Sequence, residues 1–115
     1  MSAPRIHTLK IWPPFLELIA AGKKRFELRR NDRDYREGDV LDLVEFDPKI
    51  GGYTGRRLRV QVTYILRIRD MDTGLKTALG LNPALAPVND LAVLSICPLG
   101  DDSPTDMEET NGQTA

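Results

Sequence analysis

The sequence predicts an α+β fold, a small closed barrel of mixed strands with one helix after the first strand. Three observations carry that prediction. Alternating apolar and polar residues recur along the chain, the period of a half-buried strand. A single stretch, Phe15, Leu18 and Ile19, repeats at the i, i+3, i+4 spacing of a helix face. The intervening turns are mostly short and rich in Gly, Pro, Asn and Asp, and closing such a sheet removes its unpaired edges.

Residues Arg5 to Trp12 read as the first strand, with Leu9 and Ile11 on one face and Lys10 and Trp12 on the other. Pro13-Pro14 stops the pairing and suits a first helical turn. The helix stripe follows, and Gly22 ends it as a left-handed cap. Arg25 to Arg30 form a second strand and Asn31 to Asp34 a polar loop. A turn at Arg36 to Asp39 leads to a third strand, Val40 to Phe46, with Leu41 and Leu43 inside. Asp47 to Gly52 is a hairpin loop. Arg57 to Leu66 is a long strand that turns Leu58, Val60, Val62 and Tyr64 inward. Residues 69 to 90 carry a helical turn near Gly74 to Leu79 and a loop through Asn82-Pro83 and Pro87. Leu91 to Cys97 closes the sheet and is apolar enough to be buried on both faces.

The chain of 115 residues divides into one domain, residues 1–97, and a tail, residues 98–115. The tail holds Asp101, Asp102, Asp106, Glu108 and Glu109 and no Lys or Arg, which predicts a disordered acidic segment. The body keeps 12 acids against 16 basic residues, a formal charge of +4 concealed by the overall −1. A modestly basic body suits a polyanionic partner. Cys97 is the sole cysteine, so an intramolecular disulfide and a cysteine zinc cluster are excluded. No apolar run approaches membrane-spanning length and no signal peptide is visible, so the expectation is a cytoplasmic monomer with no membrane association.

The densest chemistry lies in Gly22-Lys23-Lys24-Arg25-Phe26-Glu27-Leu28-Arg29-Arg30-Asn31-Asp32-Arg33-Asp34. On a regular strand Phe26 and Leu28 enter the core while Arg25, Glu27 and Arg29 project from the opposite face. A row of guanidinium, carboxylate and guanidinium serves no core; it suits a polar, anionic ligand. A bulge near Arg25-Phe26 would bring Lys24 and Glu27 to one side.

Read in order, His7-x-Leu9-Lys10-Ile11-x-Pro13, Gly22-x-Lys24-x-Phe26-Glu27-Leu28-Arg29, Asn31-Asp32-Arg33-Asp34-Tyr35, Gly38-Asp39, Glu45-Phe46-Asp47-Pro48, Tyr53-Thr54-Gly55-Arg56 and Val62-Thr63-Tyr64-Ile65-Leu66 resemble the DUF3850 family, within the ASCH group of PUA-like domains. The resemblance covers about residues 5 to 97 apart from a longer loop near 69 to 90. It implies a PUA-like β-barrel with a cleft between barrel and helix, through which ASCH domains are generally proposed to bind RNA. Some relatives are reported as amidohydrolases on N4-acetylcytidine and some as ribonucleases. The amidohydrolase pattern has a Lys and, three residues later, a Thr. Lys24 matches the Lys, but Glu27 stands where the hydroxyl would be, which counts against that activity.

The sequence-level assignment is therefore an RNA- or nucleotide-binding domain with a basic cleft. Lys24, Glu27 and Arg29 form its centre and Lys10 and Arg56 its walls. Lys24 and Glu27 are also the catalytic candidates under the alternatives, an amidohydrolase on a modified nucleoside or a metal-independent ribonuclease; Thr63 and Ser95 are the hydroxyls to locate. A third alternative is a protein-interaction module, marked by an exposed apolar patch. The bland counterpart of the Lys24–Glu27 assignment is a surface ion pair worth about 0 to 1 kcal/mol. His7, the lone histidine, reads as structural. Trp12 either stacks a base or caps the barrel end. Arg56, Arg57 and Arg59 form a second basic cluster. Asp32, Asp34 and Asp39 read as turn caps, and no metal or cofactor is called for.

Overall fold

The computed structural model describes residues 3–82 and 89–99, and the backbone of 105–106. Its elements are β1 (Ile6–Ile11), α1 (Pro13–Ala20), β2 (Phe26–Arg30), β3 (Val40–Asp47), β4 (Gly52–Arg67), a 3-10 turn (Ile68–Asp70), α2 (Thr73–Ala78), β5 (Leu91–Pro98) and β6 (Thr105–Asp106). The strands run in the order β1-β3-β4-β5-β2, and β6 pairs with β4. β1 lies parallel to β3, while the β3–β4, β4–β5 and β5–β2 ladders are antiparallel. The result is a mixed sheet curled into a half-barrel. The two end strands, β1 and β2, share no ladder, so the full closure expected from the pattern is not made by backbone pairing.

Side chains span that gap instead. The Arg29 guanidinium donates to the Lys10 carbonyl at 2.7 Å and Arg33 to the Thr8 carbonyl at 3.3 Å, while on β2 itself the Lys24 ammonium takes up the Phe26 carbonyl at 2.7 Å. Three edge carbonyls that could template a foreign strand are thereby capped by cations, a common protection for an open edge.

The core is Leu9, Ile11, Leu16, Ile19, Tyr35, Leu41, Leu43, Leu58, Val60, Val62, Ala92, Leu94 and Ile96. In α1 the core face is Leu16 and Ile19, with Ala20 beside them; Phe15 and Leu18 are 44% and 39% exposed. The expected stripe is thus rotated, and Phe15 is turned out of the core. The helix begins without a side-chain cap, because Pro13 and Pro14 occupy positions that would otherwise leave N–H groups unpaired. Its C-terminus is a Schellman motif: the Gly22 N–H donates to the Ile19 carbonyl and the Lys23 N–H to the Leu18 carbonyl, each at 3.0 Å. Gly22 has φ 77°, and a Cβ there would meet nothing within 4 Å. Gly22→Ala therefore suffers only the left-handed backbone penalty and should cost about 1 kcal/mol in a thermal or urea melt. An unchanged melt would show that the turn does not depend on this conformation.

Strand β4 corrects a second expectation. A register shift between Val62 and Tyr64 sets Thr63 outside the ladder and inverts the alternation. Val62 is buried, but Tyr64 is 56% exposed and Ile65 takes the inward position. In β5, Ala92, Leu94 and Ile96 are buried while Val93 and Ser95 are half-buried, so only one face is fully covered. Helix α2 lies where the helical turn was expected, with Asp72 accepting from the Leu75 N–H. Pro83 and Pro87 fall outside the described residues, as does the tail apart from Pro98, which ends β5, Leu99, and Thr105–Asp106, whose backbone pairs with Arg56 and Arg57.

Candidate functional site

The Schellman turn reverses the chain so that Lys24 precedes β2 and stands beside its first residues. The Lys24 ammonium folds over Phe26 and reaches Glu27 Oε1 at 2.5 Å. Because Lys24 lies before the strand, no bulge is needed to bring it to Glu27. Strand β2 itself has the opposite polarity from that expected: Glu27 is 4% exposed, whereas Phe26 and Leu28 are 47% and 54% exposed. The inward face of β2 opens on the gap between the end strands, where a carboxylate can be buried because it is paired on both sides. Arg29 supplies the second partner, its Nε at 3.0 Å and its terminal nitrogen at 2.9 Å from Glu27 Oε2. The same guanidinium binds the Lys10 carbonyl and so joins β2 to β1. Arg25 leaves the expected row and donates to the Gly22 carbonyl at 3.1 Å.

Above this trio lies a cleft of about 530 Å³ bounded by α1, β1 and β2, within the size range of small-ligand sites. Trp12, Phe15 and Phe26 form aromatic walls, and Ile11 and Leu28 add aliphatic surface. The Trp12 and Phe15 rings lie near-parallel with centroids 6.4 Å apart. Lys24 Nζ sits 4.8 Å from the Phe26 ring centre and 5.9 Å from that of Phe15. The sequence pattern placed Phe15 and Phe26 in the core; the structure makes both walls, and only their position beside Pro13-Pro14 and Lys24 hinted at it.

Lys10, Lys24, Glu27 and Arg29 are brought together, and Arg56 is not. Arg56 pairs with Glu17 of α1 at 2.9 Å and lies 3.7 Å from Glu45. Arg57 binds Asp42 in a two-pronged pair that raises the Arg57 pKa through hydrogen bonding, and Arg59 lies 3.7 Å from the same carboxylate. The second basic cluster is therefore largely tied to acids of its own. Thr63 donates to the Ser95 carbonyl at 3.3 Å, and neither hydroxyl lines the cleft. His7 is buried with its Nε2 2.8 Å from Asp39 Oδ2 and its ring 4.9 Å from that of Tyr35. Among the described residues no three His, Cys, Asp or Glu side chains gather to hold a metal, and no helix is long and apolar enough to cross a membrane.

Residues 6–79 match the model of the domain of unknown function DUF3850. The chain belongs to the DUF3850 family. A relative in Escherichia phage P2, an uncharacterized 12.9 kDa protein in the GpA 3′ region, is 36% identical over 66 residues, 57% of this chain. The alignment spans 59% of that relative's length. Among solved structures, ASCH from Zymomonas mobilis superimposes with a TM-score of 0.53 at 16% identity, covering 94% of this chain and 81% of that one. A serine-to-alanine mutant of the same protein gives 0.55 at 15% identity, covering 98% and 85%. This DUF3850 domain thus has the ASCH, PUA-like half-barrel fold; the function is a matter for the site.

Proposed function

We propose that this DUF3850 domain binds RNA or a nucleotide-like ligand in the cleft between α1, β1 and β2. The observation that carries the proposal is a buried carboxylate, Glu27, clamped between Lys24 and Arg29 beneath three partly exposed aromatic rings. Aromatic walls offer stacking to a flat base. The two cations exceed the one carboxylate in charge, and so favour a phosphate beside it. Glu27 Oε1, bonded to Lys24 alone among the described residues, keeps a lone pair that can accept from a base amino group. Hydrolysis is less well supported. None of the residues lining the cleft carries a hydroxyl, thiol or imidazole, and both Glu27 oxygens are already engaged by cations.

A protein-interaction reading rests on a surface that shares Phe26 and Leu28 with the cleft and extends from them across the sheet. Phe26–Ser95–Tyr64 and Leu28–Val93–Leu66 are cross-strand rows on the outer sheet face, with Phe26, Leu28, Tyr64 and Leu66 all well exposed. One experiment separates the two readings. Trp12 is the single tryptophan, so its fluorescence reports the cleft. Titration with short single-stranded RNA should quench it saturably. Phe15→Ala should weaken the interaction roughly tenfold, the scale of one lost stacking contact, and Tyr64→Ser should leave it unchanged. Quenching abolished by Tyr64→Ser but untouched by Phe15→Ala would move the interaction to the sheet face.

A further inference from the structure

We propose that a second base-binding platform lies beyond the cleft, at Tyr53 and Phe46, and that the ligand is a single-stranded oligonucleotide of at least two residues. The inference rests on the cleft being a nucleotide site and extends it along one direction.

Phe46 and Tyr53 are cross-strand partners at the tip of the β3–β4 hairpin. Their rings meet edge to face, with centroids 5.3 Å apart and planes at 78°. Such a pair accounts for the placement of Phe46, which is half-buried. It leaves Tyr53 59% exposed, with a ring held in place by a neighbour that covers only part of it.

Lys10 connects this pair to the cleft. Its backbone carbonyl is bound by Arg29 at the cleft floor. Its ammonium lies 4.4 Å from the Phe46 ring centre and 5.9 Å from that of Tyr53. Lys10 thus lines the cleft and also carries its ammonium to the aromatic pair, so one side chain adjoins both places. Lys24, Arg29 and Arg56 each face a carboxylate; Lys10 forms no ion pair among the described residues. Among the described residues no acid competes for its charge, which can meet a phosphate while the adjacent aromatic faces hold it in place. A phosphodiester at Lys10 would carry one base into the cleft and the next onto Tyr53.

The test compares adenosine 5′-monophosphate with di- and tetra-adenylate, titrated by calorimetry against the full chain. Affinity should rise roughly tenfold from the mononucleotide to the dinucleotide, the gain expected of one more stacked base. Tyr53→Ala should abolish that gain while leaving mononucleotide binding unchanged, and Tyr53→Phe should retain it. Equal affinity for mono- and dinucleotide, or an undiminished length dependence in Tyr53→Ala, overturns the platform while sparing the cleft. Failure of every adenylate to bind overturns the cleft reading and this inference with it.

Discussion

Replacing Asp39 by alanine should destabilise the domain by about 3 kcal/mol and lower its melting temperature by roughly 10 to 20 °C. Asp39 is 3% exposed and accepts three hydrogen bonds that tie separate parts of the chain together. They come from the His7 imidazole at 2.8 Å, the Arg5 N–H at 3.1 Å and the Arg36 N–H at 3.0 Å. Removing the carboxylate strands the buried imidazole and frees the turn that starts β3. Burial alone would push the Asp39 pKa up. The hydrogen bonds from His7, Arg5 and Arg36 outweigh it and hold the carboxyl below the usual carboxylate range. A depressed carboxylate contributes stability that is fully present above the unfolded pKa and disappears as pH falls through the folded one. Asp39→Asn should therefore lie below the parent chain at pH 7, and the two should converge as acidification passes below the usual carboxylate range. A gap that stays constant across that range would show that the charge of Asp39 is not what stabilises the turn.

Much of the fold is legible in the residues. The strand positions, the single long helix and its Gly22 cap follow from periodicity and turn chemistry, because each is decided within a few neighbours. The faces are less legible. Glu27 lies inside and Phe26 outside because β2 ends the sheet and its inner face meets a gap instead of apolar side chains. Nothing in the local alternation marks which strands will be the ends. Tyr64 turns outward because a one-residue bulge at Thr63 reverses the pattern, and a bulge of that kind has no fixed residue signature. Helix α1 offers two overlapping stripes, and the core takes Leu16 and Ile19, which leaves Phe15 to the cleft.

The candidate site was legible as a set of charges and not as a geometry. Lys24 and Glu27, three residues apart, would face opposite sides of a regular strand; a helix-terminating turn before β2, and not a bend in the strand, brings Lys24 to Glu27 beside Arg29. In the sequence Arg56 groups with them as a basic residue that follows a glycine turn. In the folded chain its charge is taken up by Glu17, far away in the sequence, with Glu45 of the preceding strand 3.7 Å away.

The second large effect is expected at Lys24, and it carries the most direct test of the account. Lys23 and Lys24 are adjacent and equal in charge. Lys23 is exposed and is not among the residues lining the cleft. Lys24 has a side chain 16% exposed, bonded to Glu27 and poised over Phe26. Losing it leaves Glu27 with Arg29 alone and removes the cation nearest two aromatic walls. In a salt-controlled titration with short single-stranded RNA, Lys24→Ala should weaken binding by tenfold or more, an amount typical of a lost charge-assisted contact in a partly buried site. Lys23→Ala should change it by less than about twofold, as for a peripheral charge screened by solvent. Melting curves of both variants establish that each is folded at the titration temperature. A tenfold difference between the two places the ligand in the cleft; equal effects from the two lysines would mean that RNA meets only a charged surface, and would contradict the account.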